Sequence, residues 1–164
     1  GLTICGGKIV SDQYGNLVPE KGFAGFNTSD VLVVAQSMTA SQATEQNIRD
    51  GCEFGPVLII NGEVNQGVYS GNSGYNPRTA IGQRADGAVI FVCADGRQAG
   101  SMGATYKDII DIMQEYGAVN ACNMDGGSST IMYYRDTTGT VNRINSYSVL
   151  QKEPRRMPDF WMVK

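Results

Sequence analysis

Residues 116–130 read YGAVNACNMDGGSST. A strand-like run, Ala118–Met124, ends on one carboxylate, Asp125. After it the chain carries nothing larger than a hydroxyl side chain through Gly126, Gly127, Ser128, Ser129 and Thr130. Just upstream, YKDIIDIMQEY at Tyr106–Tyr116 reads as a helix. Thr105 stands at the N-cap with Asp108 three residues on, Ile109, Ile112, Met113 and Tyr116 share a face, and Gly117 stops the helix. That stripe reads as core packing. The phrase is therefore a helix, then a strand that delivers an acid at its C-terminal end, where loops on rigid strands often carry chemistry. A tight turn alone would explain DGG, so its weight depends on what surrounds it.

Outward from this unit, β-rich runs recur at Val31–Ala35, Val57–Asn61, Ala88–Ala94, Thr130–Tyr134, Val141–Ser148 and Phe160–Val163, punctuated by Gly, Asn and Asp. A second helix is expected over Ser41–Asp50, capped by Ser41 or Thr39 and closed by Gly51. No GxGxxG follows a strand and no GxxxxGK[ST] occurs, so a regular dinucleotide or P-loop alternation is not visible. The expected class is α+β: a mixed, mainly antiparallel central sheet flanked by two or more helices, in one domain over 1–164.

Ala85-Asp86-Gly87 reads as a hairpin turn. A hairpin there places Arg78 and Thr79 near the same end of two paired strands as Asp95 and Arg97, and Asp125 joins them if its strand is a neighbour. Arginine forks suit phosphates or carboxylates, paired carboxylates suit glycoside chemistry, and small residues let a sugar or phosphate approach backbone N–H groups. Asn123 alternates onto the same side of the strand as Asp125, and Asn120 onto the other. Taken alone, Asp95–Arg97 reads as a hairpin turn with a surface arginine.

Composition narrows the chemistry. The chain has no histidine, which removes Ser-His-Asp and Cys-His catalysis and histidine-bound zinc. Acid–base work must fall to Asp, Glu, Lys, Tyr or Cys. The net charge of −3, with no basic run beyond Arg155-Arg156, argues against a nucleic-acid partner. The longest apolar run, Ala88–Ala94, is far too short to span a membrane, and no signal-peptide pattern is present. Cys5, Cys52, Cys93 and Cys122 match no zinc-ribbon spacing and assign no disulfide, and Cys93 and Cys122 read as buried small hydrophobes. No DxDxDG-type loop exists, so no metal site is expected.

Three segments together resemble the phosphodiester glycosidase family: RTAIGQ at Arg78–Gln83, DGR at Asp95–Arg97, and the Tyr116–Thr130 phrase, in matching order and spacing. Arg155, in RRMPDFWMV, resembles the family's closing Arg-x-x-Pro phrase. The resemblance covers roughly Leu2 to the C-terminus. Two departures stand out. The family often has three glycines after the acid, whereas Gly127 leads straight into Ser128. Its usual upstream strand ending in an Asn-Gly-Gly-Phe-Phe-like phrase is not found, and GLTICGGKIV resembles the strand pair that follows that phrase. The expectation is that an N-terminal segment or a second chain completes the fold.

The resemblance implies hydrolysis of a sugar-1-phosphodiester, with N-acetylglucosamine or exopolysaccharide-type substrates and an extracytoplasmic, secreted setting. Asp125 and Asp95 would be the catalytic carboxylates. Arg78, Thr79, Arg97, Asn123, Gly126, Gly127, Ser128 and Arg155 would bind substrate and phosphate, with no cofactor. The competing reading is a non-catalytic carbohydrate or cell-wall binding module that keeps the fold. A concave polar site favours the enzyme, and a flat aromatic platform favours the module.

Overall fold

The computed structural model describes residues 1–13, 15, 21–147 and 155–163. Its first sheet is built from β1 (Leu2–Cys5), β2 (Lys8–Asp12), β3 (Phe23–Asn27), β4 (Leu32–Ala35) and, after helix α1 (Ala40–Glu45), β5 (Ile48–Glu53), in the order β2-β1-β5-β3-β4. The second is built from β6 (Val57–Ile60) and β7 (Glu63–Val64), then, beyond the short helix α2 (Gln66–Tyr69), β8 (Arg78–Arg84) and β9 (Val89–Ala94). Helix α3 (Tyr106–Glu115) leads into its last strand, β10 (Ala118–Met124), and the order is β7-β6-β10-β8-β9. A two-stranded ribbon, β11 (Tyr133–Arg135) with β12 (Val141–Arg143), follows. The strand pairings are antiparallel. The class is α+β, as the sequence pattern indicates.

Period-2 alternation, interrupted by a bulge at Leu58 where β6 pairs with β10, sorts the buried residues into layers. Ala24, Leu32 and Val34 of the first sheet meet Val57, Ile81, Cys122 and Met124 of the second. On the outer face of the second sheet, Leu58, Ile59, Ala80 and Ala121 pack under Ile109, Ile110 and Met113 of α3. On the outer face of the first, Leu2, Ile4, Phe23 and Ile48 pack with Ala43 of α1 and Met38. The order is helix, sheet, sheet, helix, and β10 lies at the centre of the second sheet with β6 and β8 beside it. Among the described residues no helix is long and apolar enough to cross a membrane.

Several expected elements shift. Thr39 caps α1 in a reciprocal capping box with Gln42, but the helix ends at Gln46, because Asn47 adopts a left-handed conformation (φ 54°) and the chain turns into β5. Gly51 is thus a strand residue rather than a helix stop: a Cβ there would lie 2.6 Å from the Phe23 ring. Thr105 and Asp108 form the capping box of α3. The buried stripe of α3 is Ile109, Ile110 and Met113, while Tyr116 is exposed. Of Thr130–Tyr134 only Tyr133 and Tyr134 are strand, in β11, and Thr130 follows a 3₁₀ turn at Gly127–Ser129. Of Val141–Ser148 only Val141–Arg143 is strand, and Ser148 lies outside the described residues. Phe160–Val163 forms no strand: Phe160, Met162 and Val163 are exposed and only Trp161 packs inward. The four cysteines are free thiols.

Candidate active site

The expected hairpin is present. Gly87 N–H donates to Arg84 and Arg84 N–H to Ala88, closing a turn between β8 and β9. The register sets Arg78 opposite Ala94 and Thr79 opposite Cys93. On the other side of β8, Thr79 pairs with Met124 of β10. Asp95–Arg97, Arg78–Thr79 and Asp125 therefore emerge at one end of three adjacent strands.

Asp125 follows Met124 directly. The Thr79 hydroxyl donates to its backbone carbonyl, and its carboxylate accepts from Nη2 of Arg155. The pair is half exposed, with the Asp125 side chain 38% and the Arg155 side chain 53% accessible. Ion pairs so placed contribute about 0.2–1 kcal/mol, so this one can exchange with an incoming anion at small cost. Arg155 Nε donates to the Ser129 hydroxyl, which is buried. One guanidinium thus spans the acid and the turn after it.

The two glycines meet different constraints. A Cβ on Gly126 would sit 2.7 Å from the Pro77 carbonyl oxygen, so only glycine lets this loop lie on the entry to β8. Gly127 has φ +59° and donates its N–H to that same carbonyl at 2.8 Å. A Cβ on Gly127 would lie 3.5 Å from Arg97 Nη1, which places the Arg97 guanidinium over the turn. Arg97 is exposed, holds Asn76 Oδ1 through Nη2 at 2.8 Å and has a left-handed backbone (φ 57°). Residues held in such regions cluster at working sites.

The remaining candidates are held differently. Both carboxylate oxygens of Asp95 accept from Ser146 N–H, at 3.0 and 3.1 Å, and Oδ1 also accepts from Asn145 Nδ2 at 3.2 Å. Asn145 is buried, donates to the Thr130 carbonyl and accepts from Met132 N–H. Asp95 therefore ties the base of the β11–β12 ribbon to the end of β9, and Asn145 ties it to the segment after Asp125. Arg78 is buried: Nε donates to the Ala104 carbonyl, Nη2 to Ser73 and Gly74, and the guanidinium lies 4.0 Å over the Tyr106 ring. Asn123 is buried as well, with Nδ2 donating to Gly55 and Met124 carbonyls. It pins β10 to the 55–56 turn and does not share an open face with Asp125. Ser128 is exposed on the turn.

The structure thus gathers Asp125, Arg155, Arg97, Gly126, Gly127 and Ser129 around one turn, while Arg78, Asn123 and Asp95 brace the loops beneath and beside it. Sequence reasoning missed Ser129, Asn145 and Asn76 as partners. Asn76 stands two residues before Arg78 in the sequence, whereas no local pattern marks Asn145. Among the described residues no cluster of three or more Cys, Asp or Glu could hold a metal. Two surface hollows lie elsewhere, one beside the β8–β9 turn and α3 (Arg84, Asp86, Glu115) and one beside β7 (Gln36, Glu63, Asn65). On the ribbon beside Asp95, the Tyr133 hydroxyl meets that of Tyr147 at 3.3 Å, and Arg143 stacks 3.9 Å over Tyr147.

The SPbeta prophage-derived uncharacterized protein YomE of Bacillus subtilis (strain 168) is 42% identical over 55 residues, which is 34% of this chain and 8% of YomE. The zebrafish N-acetylglucosamine-1-phosphodiester alpha-N-acetylglucosaminidase catalytic domain, auto-inhibited by its pro-peptide, superposes with TM-score 0.71 at 20% identity. That match covers 94% of this chain and 54% of the zebrafish chain, so this chain spans about half the length of that structure, and the likeness is one of fold. A hypothetical protein from Synechocystis aligns more weakly, with TM-score 0.45 at 21% identity over 70% of this chain and 30% of its own. The phosphodiester glycosidase family pattern matches residues 1–164, and the chain belongs to that family.

Proposed function

We propose that this chain carries the catalytic centre of a hydrolase that cleaves a sugar-1-phosphodiester at the anomeric carbon, releasing the sugar and a phosphomonoester. The observation that carries the reading is the convergence of the Asp125 carboxylate and the Arg155 and Arg97 guanidiniums on the side-chain-free Gly126–Gly127 backbone. Family membership supports the glycosidase class. The N-acetylglucosaminyl sugar, an exopolysaccharide setting and an extracytoplasmic location belong to the same proposal.

The chemistry follows from the leaving group. A phosphate monoester needs little protonation to depart but needs its charge held. Arg155 and Arg97 supply planar forks for its oxygens where charge develops. A water oxygen bonds to the anomeric carbon as the bond from that carbon to the bridging oxygen of the phosphate breaks, and the electron pair leaves on that oxygen with the phosphomonoester. Asp125 takes the water proton, or faces the oxocarbenium-like carbon as its charge grows. Gly126 and Gly127 leave clearance for the sugar and phosphate at the backbone. Arg78, Asn123 and Asp95 act in this reading as positioning residues, since their polar atoms are committed to carbonyls and loop N–H groups.

The test is a panel of sugar-1-phosphodiesters and plain glycosides, with released phosphomonoester as the readout. Turnover confined to phosphodiesters, reduced about 10²–10⁴-fold by Asp125→Asn, is the expected result. Binding of these sugars without turnover would replace the enzyme by a carbohydrate-binding module.

A further inference from the structure

Residues 155–163 contain no helix or strand, and seven of these nine are exposed. Side chains therefore hold the segment in place. At one end Arg155 reaches Asp125 and Ser129. At the other, Trp161 stacks edge-on against Phe26, with ring centroids 5.8 Å apart at 82°, and its indole N–H points at Met124 Sδ, 3.3 Å away. Phe26 belongs to β3 in the first sheet and Met124 ends β10 in the second, so the indole closes the seam between the two sheets. Its neighbours Phe160, Met162 and Val163 are 79%, 62% and 76% exposed. Trp161 is thus the apolar anchor of an otherwise loosely held strap.

Two routes lead from this anchor to the same carboxylate. Met124 is the residue before Asp125, and its partner Thr79 holds the Asp125 carbonyl. Along the strap, Trp161 lies six positions beyond Arg155, at most about 20 Å of extended chain. Fixing one end therefore confines the guanidinium at the other. We infer that Trp161 is a positioning residue for the candidate site: seated between Phe26 and Met124, it holds the 155–163 strap in the register that sets Arg155 against Asp125 and Ser129. The functional part of the inference rests on the proposed phosphodiester chemistry, while the structural part does not.

Trp161 is the sole tryptophan, so its emission reports on the strap without a label. The experiment has a structural arm and a kinetic arm on the same variants. In the structural arm, solvent exchange of the Arg155 Nε–H is followed by NMR, the signal being assigned with Arg155→Lys. The native chain should show a protected Nε–H, Trp161→Ala should lose that protection, and Trp161→Phe should retain most of it. Coupling is reciprocal, so Arg155→Ala, a change at a half-exposed side chain, should red-shift the Trp161 emission and raise its quenching by acrylamide. That measurement decides the matter if Trp161→Ala fails to fold. In the kinetic arm, Trp161→Ala should lower kcat/KM about 10–100-fold, as misplacement by about 1 Å does. Trp161→Phe should restore most of the rate, and Arg155→Ala with Trp161→Ala together should be no worse than Arg155→Ala alone. Unchanged Arg155 exchange in a folded Trp161→Ala, Trp161 emission indifferent to Arg155→Ala, or additive kinetic losses would each overturn the inference. Absence of turnover in every variant, native included, would overturn the proposed function while the exchange and emission measurements still judged Trp161.

Discussion

Gly126→Ala probes the fit between the Asp125 turn and β8. The added Cβ would stand 2.7 Å from the Pro77 carbonyl oxygen and 3.5 Å from Arg78 Cα. Ordinary contact begins near 3.4 Å, so the turn or the entry to β8 must give by roughly 0.7 Å, and both are backbone. The native φ of −112° suits alanine, so the cost is steric and not conformational. Overpacking of this size costs about 1–3 kcal/mol, which for a chain of this length lowers Tm by about 3–10 °C. The same displacement moves Asp125 relative to Arg155 and Arg97, and shifts near 1 Å cost on the order of 10²-fold in rate. The assay pairs a thermal melt with kcat/KM on a sugar-1-phosphodiester. Gly100→Ala is the control, since nothing lies within 4 Å of a Cβ there. Native Tm and native kcat/KM in Gly126→Ala would refute the claim that close approach to Pro77 sets the position of the acid.

Other perturbations have equally definite outcomes. Asn145→Ala strips partners from the Thr130 carbonyl, Met132 N–H and Asp95, and should destabilise by roughly 1–3 kcal/mol, read by urea unfolding. Arg97→Lys replaces the fork over Gly127 by a point charge and should raise KM or lower kcat, measured by steady-state kinetics. Alkylation of the native chain should mark Cys5 first, by mass spectrometry. Cys5 is exposed, whereas burial pushes the Cys93 and Cys52 thiols up to about 11 and about 12, and that of Cys122 higher still. The Asp108 carboxyl is lowered by the Thr105 backbone N–H and hydroxyl. A depressed carboxylate stabilises the fold above its unfolded value near 3.8 and loses that contribution as pH falls through the lower native value. Asp108→Asn should therefore flatten the stability curve of α3 below pH 4, followed by far-UV circular dichroism.

The fold was legible where a local signal agreed with the tertiary outcome. Thr105 and Asp108 announced α3, and Ala85-Asp86-Gly87 announced the β8–β9 hairpin that gathers the site. Where local and tertiary signals diverged, the sequence misled. SQATEQNIRD has helical composition throughout, but Asn47 ends the helix and Ile48 is drawn into the core beside Leu2 and Phe23. Phe160–Val163 has strand composition but is held by the Trp161 side chain. At the site, residue type and approximate place were readable and role was not. Arg78 and Arg97 look alike in sequence, yet one is buried against three carbonyls and the other stands over Gly127. Asp95 and Asp125 both precede glycine, yet Ser146 and Asn145 occupy the first while the second faces an arginine. Those differences arise from contacts distant in sequence, between β9 and the ribbon base and between β10 and the C-terminal strap, which no local pattern encodes.

The central claim is that the bond broken joins the anomeric carbon to oxygen, and isotope placement tests it directly. Hydrolysis of a sugar-1-phosphodiester in ¹⁸O-water should put the label in the released sugar and none in the phosphomonoester, with Asp125→Asn suppressing the labelled product. Label in the phosphomonoester would mean attack at phosphorus and would contradict the account.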